Sequence, residues 1–119
     1  DVTHGAGLAV LTPAWFEYIL SDKTVDKFVD YGVNVLDIDK SYDKFEIAKL
    51  SIEKTRAFFK EIGLPTTLTE LGIDDKNLEV MAEKAANEGL EYAYVPLSKQ
   101  DVLNIYKSCL WLKKLIIIY

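Results

Sequence analysis

His4 is the only imidazole in this chain and Cys109 the only cysteine. The two side chains best suited to a transition metal therefore stand about a hundred residues apart in sequence. A transition-metal site usually draws three or four donors together from His, Asp, Glu and Cys. On composition alone, a complete site inside this chain is not expected. A nucleophilic triad is not expected either, because His4 is the one available base and no Gly-x-Ser-x-Gly turn occurs. Gly5-Ala6-Gly7 lacks the third glycine and the preceding strand of a dinucleotide-binding turn. Asp74-Asp75 reads as a helix start rather than a catalytic pair of carboxylates. The aromatics Trp15, Phe16, Tyr18, Phe28, Phe45, Phe58 and Phe59 read as core. Taken by itself, His4 reads as a capping or surface residue, with a ligand role as the sharper alternative.

The elements that must position these residues are helical. Over 7–20, Leu8, Leu11, Trp15, Tyr18 and Ile19 recur at three- and four-residue steps and predict one buried face. Pro13 lies inside that pattern and predicts a kink, or a helix that begins there. A second helix is predicted over 24–36, with Val25, Phe28, Val29, Val33 and Leu36 inward and Gly32 allowing a close approach. Ser41 is the predicted cap of a third helix over 42–62, whose inward residues are Phe45, Ala48, Ile52, Thr55, Phe59 and Ile62. Gly63 and Pro65 then stop it.

Thr67-Leu68-Thr69-Glu70 matches the capping-box pattern ahead of one short turn. A fourth helix is predicted over 75–88, with Asp74 as cap and Gly89 as stop. Residues 90–97 read as an extended connection. Ser98-Lys99-Gln100-Asp101 is a second capping box, opening a last helix with Val102, Ile105, Tyr106 and Cys109 inward. No alternating strand of convincing length appears, so the expected fold is an all-α, multi-helix bundle.

The chain has 119 residues, half of them hydrophobic and 28% charged, the balance of one ordered domain. A net charge of −5 argues against a nucleic-acid partner. The lysines alternate with acids, as in Asp22-Lys23 and Glu53-Lys54, and read as solvated helix faces. One cysteine excludes an internal disulfide and points to a reduced, cytoplasmic setting. Neither a signal peptide nor an apolar run long enough to span a membrane is visible. Asp1 is not an initiator Met, so a cut beginning is expected. The segment 110–119 ends in a β-branched apolar run and is expected to pack in a groove or an interface rather than stand exposed.

Resemblance changes the reading of His4. His4-Gly5, Ala9, Leu11 and Pro13 match the His-Gly-x-x-x-Ala-x-Leu-x-Pro stretch of the iron-containing alcohol dehydrogenases. Residues 3–15 look especially like the NAD(P)H-dependent butanol dehydrogenase branch. The likeness continues through Thr55-Arg56-Ala57-Phe58-Phe59 and through 63–73, and resumes in Asp101-Val102-Leu103-Asn104-Ile105-Tyr106-Lys107. It implies that residues 1–109 are most of the C-terminal helical domain of the dehydroquinate synthase-like fold, with 110–119 a tail foreign to the family.

In that family one Asp and three His bind Fe²⁺, or Zn²⁺ in some members, and the last of those histidines falls on His4. The other three ligands and the glycine-rich cofactor loop have no counterpart here. The resemblance thus implies a missing N-terminal nucleotide-binding domain as partner and NAD(P)H as cofactor of the complete enzyme. Its reaction would interconvert a small aldehyde and a primary alcohol. The isolated chain is expected to be inactive and to bind neither metal nor NAD(P)H tightly. The competing reading is a helical interaction module that has lost the chemistry and self-associates, for example as a homodimer, through its apolar surface.

Overall fold

Thr3 opens the first helix: its backbone is extended and its Oγ1 accepts a hydrogen bond from the Ala6 amide at 3.4 Å. In the computed structural model, which describes residues 3–110, helix α1 runs His4–Ile19 without a break. It neither starts nor stops at Pro13. The ring is fully buried, so tertiary packing holds the helix through a residue that removes one amide donor from it.

The inward face of α1 differs from the predicted one. Ala9, Val10, Pro13, Ala14 and Ile19 are buried, whereas Leu8 and Tyr18 are 48% and 41% exposed. Leu11 and Trp15 are only partly covered. The helix is apolar on most sides, so several stripes satisfy the same periodicity. The small residues bring α1 close to its neighbours.

Helix α2 (Val25–Asn34) follows a turn locked by Thr24, whose hydroxyl donates to the Ile19 carbonyl at 2.8 Å and accepts from the Ser21 amide at 2.9 Å. It buries Val25, Phe28 and Gly32. Helix α3 (Lys44–Glu61) starts two residues later than predicted, because Asp43 rather than Ser41 caps it. The Asp43 carboxylate accepts from the Phe45 and Glu46 amides, while the Ser41 amide is held by Asp39. The inward residues of α3 are Ile47, Ala48, Ser51, Ile52 and Thr55; Ile62, predicted inward, is 56% exposed. Gly63 takes the left-handed φ of +88°, and the Leu64 amide closes back on the Phe59 carbonyl at 2.9 Å.

Around the 3-10 turn Thr69–Leu71, Thr67 Oγ1 accepts from the Glu70 amide as predicted. The Glu70 carboxylate instead takes the amide and hydroxyl of Thr66, one residue earlier than the capping box requires. Asp74 accepts from the Lys76 amide over a further 3-10 turn, Asp75–Asn77, so helix α4 (Leu78–Ala86) is shorter than predicted. Residues Leu90–Tyr92 form another 3-10 turn, where the sequence predicts an extended connection. Helix α5 (Lys99–Ser108) carries the complete Ser98–Asp101 capping box.

α2 lies on α3 and α4 on α5, while α1 touches both α3 and α5. Two apolar clusters result. Val10, Ala14, Leu68, Leu78, Ala82, Val102, Ile105 and Cys109 belong to the first, and Ile19, Val25, Phe28, Ala48 and Ile52 to the second. Trp15 packs against both, which makes α1 the spine of the bundle. Leu110 is buried in the first cluster; residues 111–119 of the apolar tail lie outside the described residues. The described residues form helices and turns with no strand, as expected.

Candidate functional site

His4 is the first residue of α1 and is exposed. Helical spacing puts Gly7, Leu8 and Leu11 on its side of the helix. These residues and Thr3 form one wall of a groove of about 320 Å³. Leu68, Leu71 and Ile73 from the turn after α3, with Met81 of α4, form the other. Thr3 and His4 are the polar residues of the groove's lining, which is otherwise aliphatic apart from Gly7 and Met81. A Cβ built on Gly7 meets nothing within 4 Å, so glycine there widens the groove rather than relieving a contact.

Leu68 anchors the second wall. It is 2% exposed, and its amide donates to the Cys109 carbonyl at 3.0 Å, tying the turn to the end of α5. Leu68, Leu71, Ile73 and Met81 lie some sixty to eighty residues beyond His4 in sequence. No local spacing marks them as its neighbours, and only the docking of α4 and the preceding turn beside α1 brings them there.

The remaining candidates resolve into structural roles. Cys109 is buried in the first cluster, its Sγ 3.9 Å from the Val10 carbonyl. Asp74 caps the turn Asp75–Asn77. Phe16 packs edge-on against Phe28 at 5.3 Å between centroids. Phe58 and Tyr18, read as core, are exposed. Among the described residues, no group of three or more His, Cys, Asp or Glu side chains converges as a metal site.

A second cavity of about 250 Å³ lies between α1, α4 and α5, with Leu11, Trp15, Leu90, Val102 and Tyr106 in its wall. Burial, helped by Cys109, pushes the Tyr106 phenol above its ordinary pKa. Leu11 belongs to both cavities.

The profile of the Fe-containing alcohol dehydrogenase family, C-terminal, matches residues 1–110. The chain belongs to the iron-containing alcohol dehydrogenase family. It is 49% identical over 110 residues to NADH-dependent butanol dehydrogenase A of Clostridium acetobutylicum, covering 91% of this chain and 28% of that protein. Identity to butanol dehydrogenase B of the same organism is 46% over 111 residues, with the same coverage. The chain thus spans under a third of the length of those relatives.

A solved 1,3-propanediol oxidoreductase superposes with a TM-score of 0.80 at 25% identity, covering 92% of this chain and 28% of that one. The butanol dehydrogenase A structure from Thermotoga maritima, at 24% identity and a TM-score of 0.78, shares the fold over 92% of this chain and 29% of its own. The helical bundle described above is therefore the C-terminal fold of this family. Among the described residues, no helix is long and apolar enough to cross a membrane.

Proposed function

We propose that this chain is the metal-side helical domain of an NAD(P)H-dependent alcohol dehydrogenase acting on small aldehydes and primary alcohols, with His4 as one metal ligand. The observation that carries the reading is the position of the sole imidazole. It is exposed, it opens α1, it lines a mostly aliphatic groove together with Thr3, and it heads the His-Gly…Pro stretch that resembles the family's.

The residues fit a share of a site rather than a whole one. Imidazole nitrogen suits Fe²⁺ and Zn²⁺ alike, but one donor does not hold either. The positive end of α1 opposes a bare cation beside His4, so the set needs an anionic ligand. An Asp and two further His supplied from outside the described residues satisfy that need. When bound, the metal polarises the carbonyl oxygen and the nicotinamide supplies hydride. The chain's own contribution is one imidazole nitrogen and the aliphatic wall beside it. The isolated chain is accordingly inactive.

The test is a fusion in which this chain replaces the matching 28% of the C. acetobutylicum butanol dehydrogenase A. Bound iron or zinc measured by mass spectrometry, together with NADH oxidation on butyraldehyde, supports the reading. An inactive, metal-free fusion that is nonetheless folded overturns it.

Leu8, Phe58, Ile62 and Val80 are large, apolar and exposed, which favours a second reading, self-association through the bare domain surface. Sedimentation of the isolated chain decides it: a monomer at all concentrations excludes that reading.

A further inference from the structure

Between α1 and α2 lies a third cavity, of about 200 Å³, walled by the rings of Trp15, Phe16, Phe28, Tyr31 and Tyr94. Trp15 and Phe16 come from α1, Phe28 and Tyr31 from one side of α2, and Tyr94 from the connection ahead of α5. Phe16 stands edge-on to Phe28 and to Tyr31, at 5.3 and 6.4 Å between centroids. The Tyr31 hydroxyl is engaged by Thr55 Oγ1 at 2.6 Å, which leaves its ring as wall. Lys27 is the charged residue of the lining. It is exposed, its Nζ lies 5.7 Å from the Tyr94 ring centroid, and among the described residues no carboxylate pairs with it.

We infer that this cavity binds a small aromatic acid, one ring bearing one carboxylate, with the ring against the aromatic wall and the carboxylate on Lys27. Size sets the first limit. A benzene ring occupies a protein cavity of roughly 150 Å³, so about 200 Å³ admits one ring and a small substituent. Wall chemistry sets the second: five rings offer a planar ligand offset and edge-on contacts that a saturated ring cannot match. Charge sets the third. An aromatic box alone suits an organic cation, but Lys27 already presents its ammonium to Tyr94 and would repel a second one. An anion instead meets a cation that the chain leaves without a carboxylate. Trp15 stands eleven residues beyond His4, about 16 Å along the helix, so the assignment is independent of the role proposed for His4.

The test titrates the 119-residue chain, labelled with carbon-13 at its isoleucine methyl groups, with benzoate, cyclohexanecarboxylate and benzyltrimethylammonium in turn. Ile19 lines the cavity and reports on it, whereas Ile105 lines the cavity between α1, α4 and α5 and serves as control. Benzoate is expected to shift the Ile19 signal saturably in the millimolar range. Cyclohexanecarboxylate, of the same charge but without a π-face, should bind about 5-fold more weakly. The cation should leave Ile19 in place, and Ile105 should move with none of the three.

Lys27→Met keeps the aliphatic stem and removes the charge. It should weaken benzoate binding about 5-fold, the reach of one exposed ion pair, and about 1 M salt should weaken the parent in the same direction. Tyr94→Ala takes a ring from the wall and should weaken benzoate by about 10-fold. Both side chains are exposed, so the fold is expected to survive either change, with the signals of Ile47 and Ile105 left in place. Equal binding of the cation or of the saturated acid, indifference to Lys27→Met, shifts confined to Ile105, or no saturable shift of Ile19 with benzoate overturns the inference.

Discussion

Gly32 of α2 and Ser51 of α3 meet where no side chain could stand on the glycine. A Cβ built on Gly32 would overlap the Ser51 Oγ and press on the Ile47 and Ile38 side chains. Ser51 is fully buried, and its hydroxyl donates to the Ile47 carbonyl at 2.7 Å. Gly32→Ala should therefore destabilise the fold by about 1–3 kcal/mol, the usual range for overpacking, despite alanine's better helix propensity. Adding Ser51→Ala should recover part of that loss and leave the pair non-additive. Recovery stays partial because Ile47 Cγ2 lies 2.9 Å and Ile38 Cδ1 3.2 Å from the added carbon. Urea unfolding of the two single variants and the double variant checks this.

At the other side of α1, the Tyr18 hydroxyl donates to Asp101 Oδ1 at 2.7 Å, reaching the capping box of α5. The Ser98 amide first, and the Tyr18 hydroxyl second, hold the Asp101 carboxyl below its ordinary pKa of 3.8. A depressed folded pKa means that the unfolded chain binds the proton more tightly. The stabilisation is thus present above 3.8 and lost as pH falls through the folded value. Asp101→Asn should lower Tm at about pH 7 and converge with the parent near pH 2, below the carboxylate range. Tyr18→Phe should cost about 0.5 kcal/mol, the low end for a hydrogen bond, since Tyr18 is partly solvated. Thermal melts across this pH window test both.

Arg56 shows how a motif residue can be structural. Its guanidinium donates to Glu53 Oε1 at 2.8 Å within α3 and reaches across to Glu17 Oε1 on α1. Both carboxylate side chains are at least half exposed, so the link is worth at most about 1 kcal/mol. Arg56→Met should cost no more than that, and the difference should shrink in about 1 M salt. A loss of several kcal/mol, or one indifferent to salt, would show that the arginine is doing something other than pairing.

The parts that were legible in the sequence are those where local chemistry decides. Ser98 and Asp101 satisfy each other's backbone within four residues, and Gly63 follows α3 with a left-handed φ; α4, by contrast, ends at Ala86 with Asn87 as its cap, ahead of the predicted stop at Gly89. Gly32 was readable as a close approach because it interrupts an otherwise apolar stripe. The inward face of α1 was not readable. Leu8, Leu11 and Trp15 compete there with Ala9, Val10 and Ala14, and only α3 and α5 choose the smaller set. The cap of α3 turned on whether Ser41 or Asp43 took the free amides; Asp43 takes those of Phe45 and Glu46, while the Ser41 amide is held by Asp39. Likewise, His4 was legible through its motif, whereas the wall opposite it was not, because Leu71 and Met81 reach the groove through tertiary docking alone.

The last prediction separates what His4 does for the fold from what it does for chemistry. As an exposed first residue of α1 it has little to lose from truncation: Thr3 caps the helix, and the buried residues of α1 begin at Ala9. His4→Ala should change the stability of the isolated chain by no more than about 0.5 kcal/mol, as for a surface site. In the fusion, the same substitution should strip the metal and reduce aldehyde turnover by more than the roughly 10–100-fold typical of losing an outer-shell partner. His4→Gln, which keeps polarity and length but lacks the imidazole, should not restore it. Equal stability with lost metal identifies a ligand. A parallel fall in stability and turnover would instead give His4 a purely structural role in the first turn of α1.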